Sequence, residues 1–300
     1  MGVPSENASS SDAVSQRKPL WLRRTMAHRG KFRQINNLID ALHLHTVCRE
    51  AACPNRSECF SCGTATFLVM GAVCTRTCAF CGVEKGTIAP LDLDEIPRLV
   101  EAVRAMRLRH AVITSVTRDD LHDGGASFFA TLVAALRRDC PDTTVELLIP
   151  DLKGDHASQD RVFASAPDIL NHNIETVPAL YPALRPQAQF ERSLELIRRA
   201  ANAGLLTKSG IMVGLGETEA QVLAVLDELH ENGCSIITIG QYLQPSPNQA
   251  MVKEFIEPER FDAYRRYGMD RGFLDVVAGP FVRSSYHAAD QTSHIRNRHG

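Results

Sequence analysis

Apolar residues along this 300-residue chain alternate between two rhythms. Short runs rich in Val, Ile and Thr occur at 64–71, 110–116, 144–150, 168–175, 207–214 and 235–243, often bounded by Gly, Pro or Asp. Their composition and punctuation predict β-strands. Between them the spacing lengthens. Phe190, Leu194, Ile197 and Ala201 recur at helical intervals, as do Val222, Val225, Leu226 and Leu229. Asp and Pro near 92–97 suit one helix start, and Thr218 followed by Glu219 suits another. Strands alternating with helices imply parallel pairing through right-handed crossovers. Only about 180 residues span the six strand–helix units, fewer than a closed eight-unit barrel needs. The expected fold is therefore α/β, a partial (β/α)6 TIM-type barrel with N- and C-terminal extensions.

That pattern sets expected boundaries. Residues 1–18 are rich in Ser, poor in apolar side chains, and expected to be a disordered tail. Residues 19–62 form an N-terminal extension, 63–271 the barrel, and 272–300 a C-terminal extension that could cover its open side.

Composition narrows the classes. An apolar content of 44%, a charged content of 23% and a net charge of −2 are those of an ordinary soluble protein. Nothing in that balance asks for nucleic acid or an anionic membrane surface. No apolar run approaches the roughly 18–20 residues that cross a bilayer. The N-terminus is polar, unlike a secretory signal, and Glu6 stands where a myristoylation motif wants Ser or Thr. The expected location is a reducing one, the cytoplasm, with no membrane and no nucleic-acid partner.

Seven of the nine cysteines fall between Cys48 and Cys81. Disulfides, zinc or iron–sulfur clusters could explain the crowding. A reducing compartment and an odd count argue against disulfides. Cys74, Cys78 and Cys81 follow the first strand, at the end of the barrel where chemistry sits. Three thiolates can hold three irons of a 4Fe–4S cluster and leave the fourth open to a ligand. Zinc with a fourth ligand from elsewhere is the alternative, although the spacing is not that of paired zinc ribbons. A thioredoxin-like Cys78-x-x-Cys81 would leave Cys74 without a role. Cys48, Cys53 and Cys59 offer a second set of three. Cys62 belongs to neither set, and Cys140 and Cys234 read as small buried thiols.

The spacing Cys-x3-Cys-x-aromatic-Cys, with Phe80 inside it, resembles the signature of the radical S-adenosylmethionine superfamily. Together with "CREAACPNRSEC", "TRDDLHDGGA", "VELLIPD", "HNIETVPALY", "TKSGIMVGLGET", "GQYLQPS" and "GPFVRSSYHA", it closely resembles the lipoyl synthase family over about residues 19–290. The resemblance implies two 4Fe–4S clusters with S-adenosylmethionine as cosubstrate. Cys74, Cys78 and Cys81 would hold the radical-generating cluster. Cys48, Cys53, Cys59 and Ser285 would hold an auxiliary cluster that donates sulfur. Serine is a harder ligand than thiolate and suits an iron that must be released. The implied reaction places two sulfurs at C6 and C8 of an octanoyl chain on a lysine of a lipoyl-carrier domain or protein. An electron donor such as ferredoxin or flavodoxin would feed it. Cosubstrate contacts are expected from Phe80, Asn173, Glu175, Met212 and Gly214, with Gly210 and Glu217 in the same Gly-rich pattern. Alternation along a strand would put Asn173 and Glu175 on one face. No catalytic side chain is expected beyond the cluster ligands, because these C–H bonds have no acid–base route. Phe60 stands where the family usually has Trp, and His287 is a candidate neighbour of Ser285.

Overall fold

A computed structural model of the chain describes residues 18–22, 29–51, 53–61, 65–285 and 288. Cys62, His287 and almost all of the expected tail lie outside the described residues. The strands are β1 (His45–Thr46), β2 (Thr66–Val69), β3 (His110–Ser115), β4 (Thr144–Leu148), β5 (Ile169–Asn171), β6 (Thr207–Val213), β7 (Ile236–Gln241) and β8 (Asp275–Gly279). They lie in one sheet in chain order. β2 to β8 run parallel, while β1 pairs antiparallel with β2. The helices are α1 (Arg29–Ala41), α2 (Val47–Glu50), α3 (Arg56–Ser61), α4 (Glu95–Met106), α5 (Ala126–Asp139), α6 (His156–Ala164), α7 (Tyr181–Leu184), α8 (Phe190–Asn202), α9 (Glu219–Glu231) and α10 (Pro258–Arg271).

This is an open, partial barrel, as the sequence predicts. All six expected strands form. A seventh parallel strand, β8, joins them from the stretch read as C-terminal extension. Its Val276 and Val277 pair with Ile237 and Thr238 of β7, which extends the sheet. The α9 start is also where it was expected: Thr218 and Gln221 form a reciprocal capping box.

Register assigns the two faces. Phe67, Ile113, Leu147 and Leu170 pack on one face with Leu99, Phe129 and Leu132 of the helices. Further along, Ile211, Ile237 and Val276 pack with Ile197, Val222, Leu226 and Phe261. The opposite face, the barrel lumen, carries Thr66, His110, Glu146, Asn171, Lys208, Gly210, Thr238 and Gly240. Closed barrels of this type fill the lumen with branched apolar residues. Here buried polar groups pair with one another across the strands, and Gly210 and Gly240 leave room on that face.

Candidate active site

The loop after β2 is fastened on every side. Met70 has φ +65°, and its N–H donates to the Glu95 carboxylate at 2.8 Å while its carbonyl accepts from Arg118 at 3.1 Å. The Cys74 N–H donates to the Glu84 carbonyl at 3.1 Å, and the Ala79 N–H to the Leu184 carbonyl at 2.9 Å. The Cys74 sulfur accepts from the Arg76 and Thr117 N–H groups at 3.4 and 3.3 Å. Burial pushes the Cys78 thiol up, opposed chiefly by the Arg185 charge. Burial also pushes Cys81 up, opposed by a hydrogen bond from the Val83 backbone. Three half-buried free thiols on one short loop, with amides directed at one sulfur, suit an iron–sulfur cluster. Among the described residues no three His, Cys, Asp or Glu side chains close on a single-ion site.

Arg76, which sequence reasoning missed, holds this loop in place. Its guanidinium donates to Asp119 at 2.7 and 3.1 Å, on the loop after β3. It also donates to Asp151, after β4, at 2.6 Å. Burial alone would raise the Asp151 carboxyl, but the Arg76 charge and hydrogen bond bring it down to about 2. Arg118 pairs instead with Asp120, at 2.8 Å. The signal was present in "CTRTC", a charged residue between two cysteines, but its partners are distant in sequence.

Beyond β5 and β6 lie the expected cosubstrate residues. Asn173 donates to Glu175 at 3.1 Å. They do not meet by strand alternation, because β5 ends at Asn171 and Glu175 turns back with φ +67°. Burial raises the Glu175 carboxyl, with Arg185 and Asn173 opposing. Arg185 donates to the Ile174 carbonyl at 2.6 Å, and its Nε has no partner among the described residues. Phe80 and Met212 lie against one apolar cluster of Leu184, Leu215 and Tyr242. Gly214 has φ +96°, and a Cβ there would stand 2.2 Å from the Gln241 amide nitrogen, so only glycine fits. The Gly214 and Leu215 N–H groups donate to Glu217, the latter at 2.9 Å. The structure thus brings Phe80, Met212 and Gly214 to the same end of the lumen as Asn173 and Glu175.

The second thiol set meets the C-terminal strap behind β2. Cys48, at the start of the chain's α2 turn, is buried and its thiol is pushed up to about 11 by burial and by Cys53, against a hydrogen bond from the Thr66 backbone. The Thr66 hydroxyl donates to the Ser285 hydroxyl at 2.6 Å, 219 positions away. Cys59 is half-buried in α3, beside fully buried Phe60, which packs on Phe32. The Asn55 amide donates to the Phe281 carbonyl at 2.6 Å and ties this segment to the strap. The Cys48 thiol and the Ser285 hydroxyl both reach Thr66, one through its backbone and one through its side chain, and thiolates with a hydroxyl are donors of the kind an iron–sulfur cluster takes.

A family model described as the radical SAM superfamily matches residues 68–229. The solved structure of the FeFe-hydrogenase maturase HydG from Carboxydothermus hydrogenoformans shares the fold, with a TM-score of 0.57 at 16% identity, over 77% of this chain and 56% of that one. An open parallel barrel with three thiols on the loop after its first parallel strand, matched by that family model, makes this a radical S-adenosylmethionine protein. The lipoyl synthase of Oleidesulfovibrio alaskensis is 49% identical over 283 residues, 94% of this chain and 97% of that protein. That of Rubrobacter xylanophilus is 50% identical over 281 residues, covering 93% and 88%. The chain belongs to the lipoyl synthase family.

Proposed function

We propose that this protein inserts two sulfur atoms, at C6 and C8, into an octanoyl chain carried on a lysine of a lipoyl-carrier domain or protein, giving lipoyl-lysine. Cys74, Cys78 and Cys81 hold one 4Fe–4S cluster. Cys48, Cys53, Cys59 and Ser285 hold the other. When bound, the first cluster with S-adenosylmethionine supplies a hydrogen-abstracting radical and the second supplies sulfur. The observation that carries this reading is the meeting of Ser285 with Thr66, whose backbone also reaches Cys48, which supports Ser285 as a fourth donor beside the second thiol set.

The residues around the lumen have separate tasks in this reading. Phe80 and Met212 form an apolar wall beside the Cys78–Cys81 turn. Asn173 and Glu175 offer a polar pair to the cosubstrate's ribose or amino group, and the Arg185 charge acts on both Glu175 and Cys78. Gly214 lets backbone come close to the adenine. None of these acts as a base. A radical must meet its target hydrogen at near-contact range, so positioning dominates. A low-potential carrier such as ferredoxin or flavodoxin supplies electrons. The protein's place of work in this reading is a reducing compartment, the cytoplasm, where thiols persist. Among the described residues no helix is long and apolar enough to cross a membrane.

The test is anaerobic reconstitution with iron and sulfide, followed by S-adenosylmethionine, a reductant and an octanoyl-lysyl peptide. Mass spectrometry should find 5′-deoxyadenosine and a dithiolane-bearing peptide. Deoxyadenosine with no sulfur in the peptide would overturn the proposal.

A further inference from the structure

We propose that Ser284 is a positioning residue that couples the cosubstrate end of the lumen to the Ser285 end. Consecutive serines of the strap serve different neighbours. Ser285 faces Thr66, at 2.6 Å. Ser284 makes two hydrogen bonds with Asn173, accepting from its Nδ2 at 2.7 Å and donating to its Oδ1 at 2.9 Å. Asn173 also donates to Glu175. A single peptide link therefore separates a hydrogen-bonded chain rooted in Glu175 from the hydroxyl offered beside Cys48.

Two glycines on the lumen face fix the depth of the strap. A Cβ on Gly240 would stand 2.1 Å from the Val282 carbonyl oxygen. A Cβ on Gly210 would stand 2.7 Å from Asn173 Oδ1 and 3.0 Å from Ser284 Oγ. The strap is thus seated in the sheet rather than draped over it, and has little freedom to absorb a displacement of Asn173. Occupancy at Asn173 and Glu175 then biases how firmly Ser285 is presented. Energetic coupling of this kind is reciprocal between the two sites.

The inference rests on the two-cluster reading above, and its test separates the two. Wild type and S284A are loaded with both clusters and challenged with an iron chelator, with and without S-adenosylmethionine, in the absence of reductant and octanoyl peptide. A C48A variant assigns the auxiliary phase of iron release. In wild type the cosubstrate should slow that phase by about fivefold or more, a usual strength for such coupling. In S284A protection should fall below about twofold, while equilibrium dialysis shows cosubstrate still bound. N173A should abolish protection in wild type, and should remove nothing further from S284A. Equal protection in wild type and S284A overturns the role of Ser284, as does no protection in wild type. Equal iron content in C48A and wild type would instead overturn the two-cluster reading, and this proposal with it.

Discussion

Glycine at 210 and 240 is required by what crosses the sheet there, not by backbone conformation. Gly240→Ala would drive a methyl into the Val282 carbonyl, and Gly210→Ala would crowd Asn173, Thr238 and Ser284 at once. Overpacking of this sort typically costs about 1–3 kcal/mol. We expect either variant to keep the iron bound by Cys74, Cys78 and Cys81 and to lose iron at the second set. Iron per chain should fall by about one cluster, checked by metal analysis after reconstitution. A second expectation concerns Cys48. With its thiol pushed up to about 11 from an ordinary 9.0, the metal-free protein holds it protonated at neutral pH. At pH 8 its thiolate fraction is about a hundredfold below that of an unshifted thiol, and alkylation by iodoacetamide should slow in proportion. The sign for stability is the same: the folded chain favours the protonated thiol below pH 9, and that advantage is lost as pH rises through about 11. The two sets of three cysteines stood out in the sequence because spacing is a one-dimensional property. The requirement for Gly210 did not, because the side chains that impose it, Asn173, Thr238 and Ser284, come from three separate segments of the chain.

Individual elements show the same division. The six strands could be read from their apolar runs, and the α9 start from its capping residues. β8 falls in the stretch read as a C-terminal extension, and "DVVAG" is short and follows α10 closely. Its strand identity comes from pairing with β7. The loop after β2 was placed by its cysteines, yet nothing in "CTRTCAFC" names Asp119 and Asp151 as the partners of Arg76. That ion-paired arginine links three successive strand ends, and both its side chain and that of Asp151 are almost fully buried. Arg76→Gln would leave Asp151 charged with Arg192, at 3.3 Å, as its remaining cationic partner, so the loss should lie at or below the roughly 3–5 kcal/mol of breaking a buried pair outright. Because the Asp151 carboxyl lies at about 2, below its ordinary 3.8, its contribution is present above pH 3.8 and is lost only as pH falls through about 2. At neutral pH the variant therefore meets the full penalty. We expect R76Q to release the Cys74–Cys78–Cys81 iron to chelator at least about tenfold faster than wild type, and R76K, a point charge without the bidentate fork, to lie between them. An unchanged release rate in R76Q would show that the loop holds its shape without the brace.

Across the whole molecule, the lumen is held from within by charge. Glu146 of β4 meets Lys208 of β6 at 3.1 Å, His110 of β3 at 3.3 Å and the Asn171 amide of β5 at 2.8 Å. Four neighbouring strands are thus tied at one level, below the seat of Ser284 on Gly210. Burial would raise the Glu146 carboxyl, but Lys208 first and His110 second bring it to about 2, from an ordinary 4.5. Its contribution is present above pH 4.5 and disappears as pH falls through about 2. Lys208→Met removes the cation while leaving the carboxylate fully buried, which should cost about 3–5 kcal/mol at pH 8. Without Lys208, burial raises the carboxyl of Glu146, so protonation neutralises it and the deficit shrinks as the medium is acidified. Urea unfolding at pH 8 and pH 5 should therefore give a larger loss at pH 8 for K208M. The double variant K208M/E146L should recover part of the stability, because it removes both charges but also takes away the Glu146 bonds to His110 and the Asn171 amide. Equal losses at the two pH values would mean that Lys208 acts by packing alone.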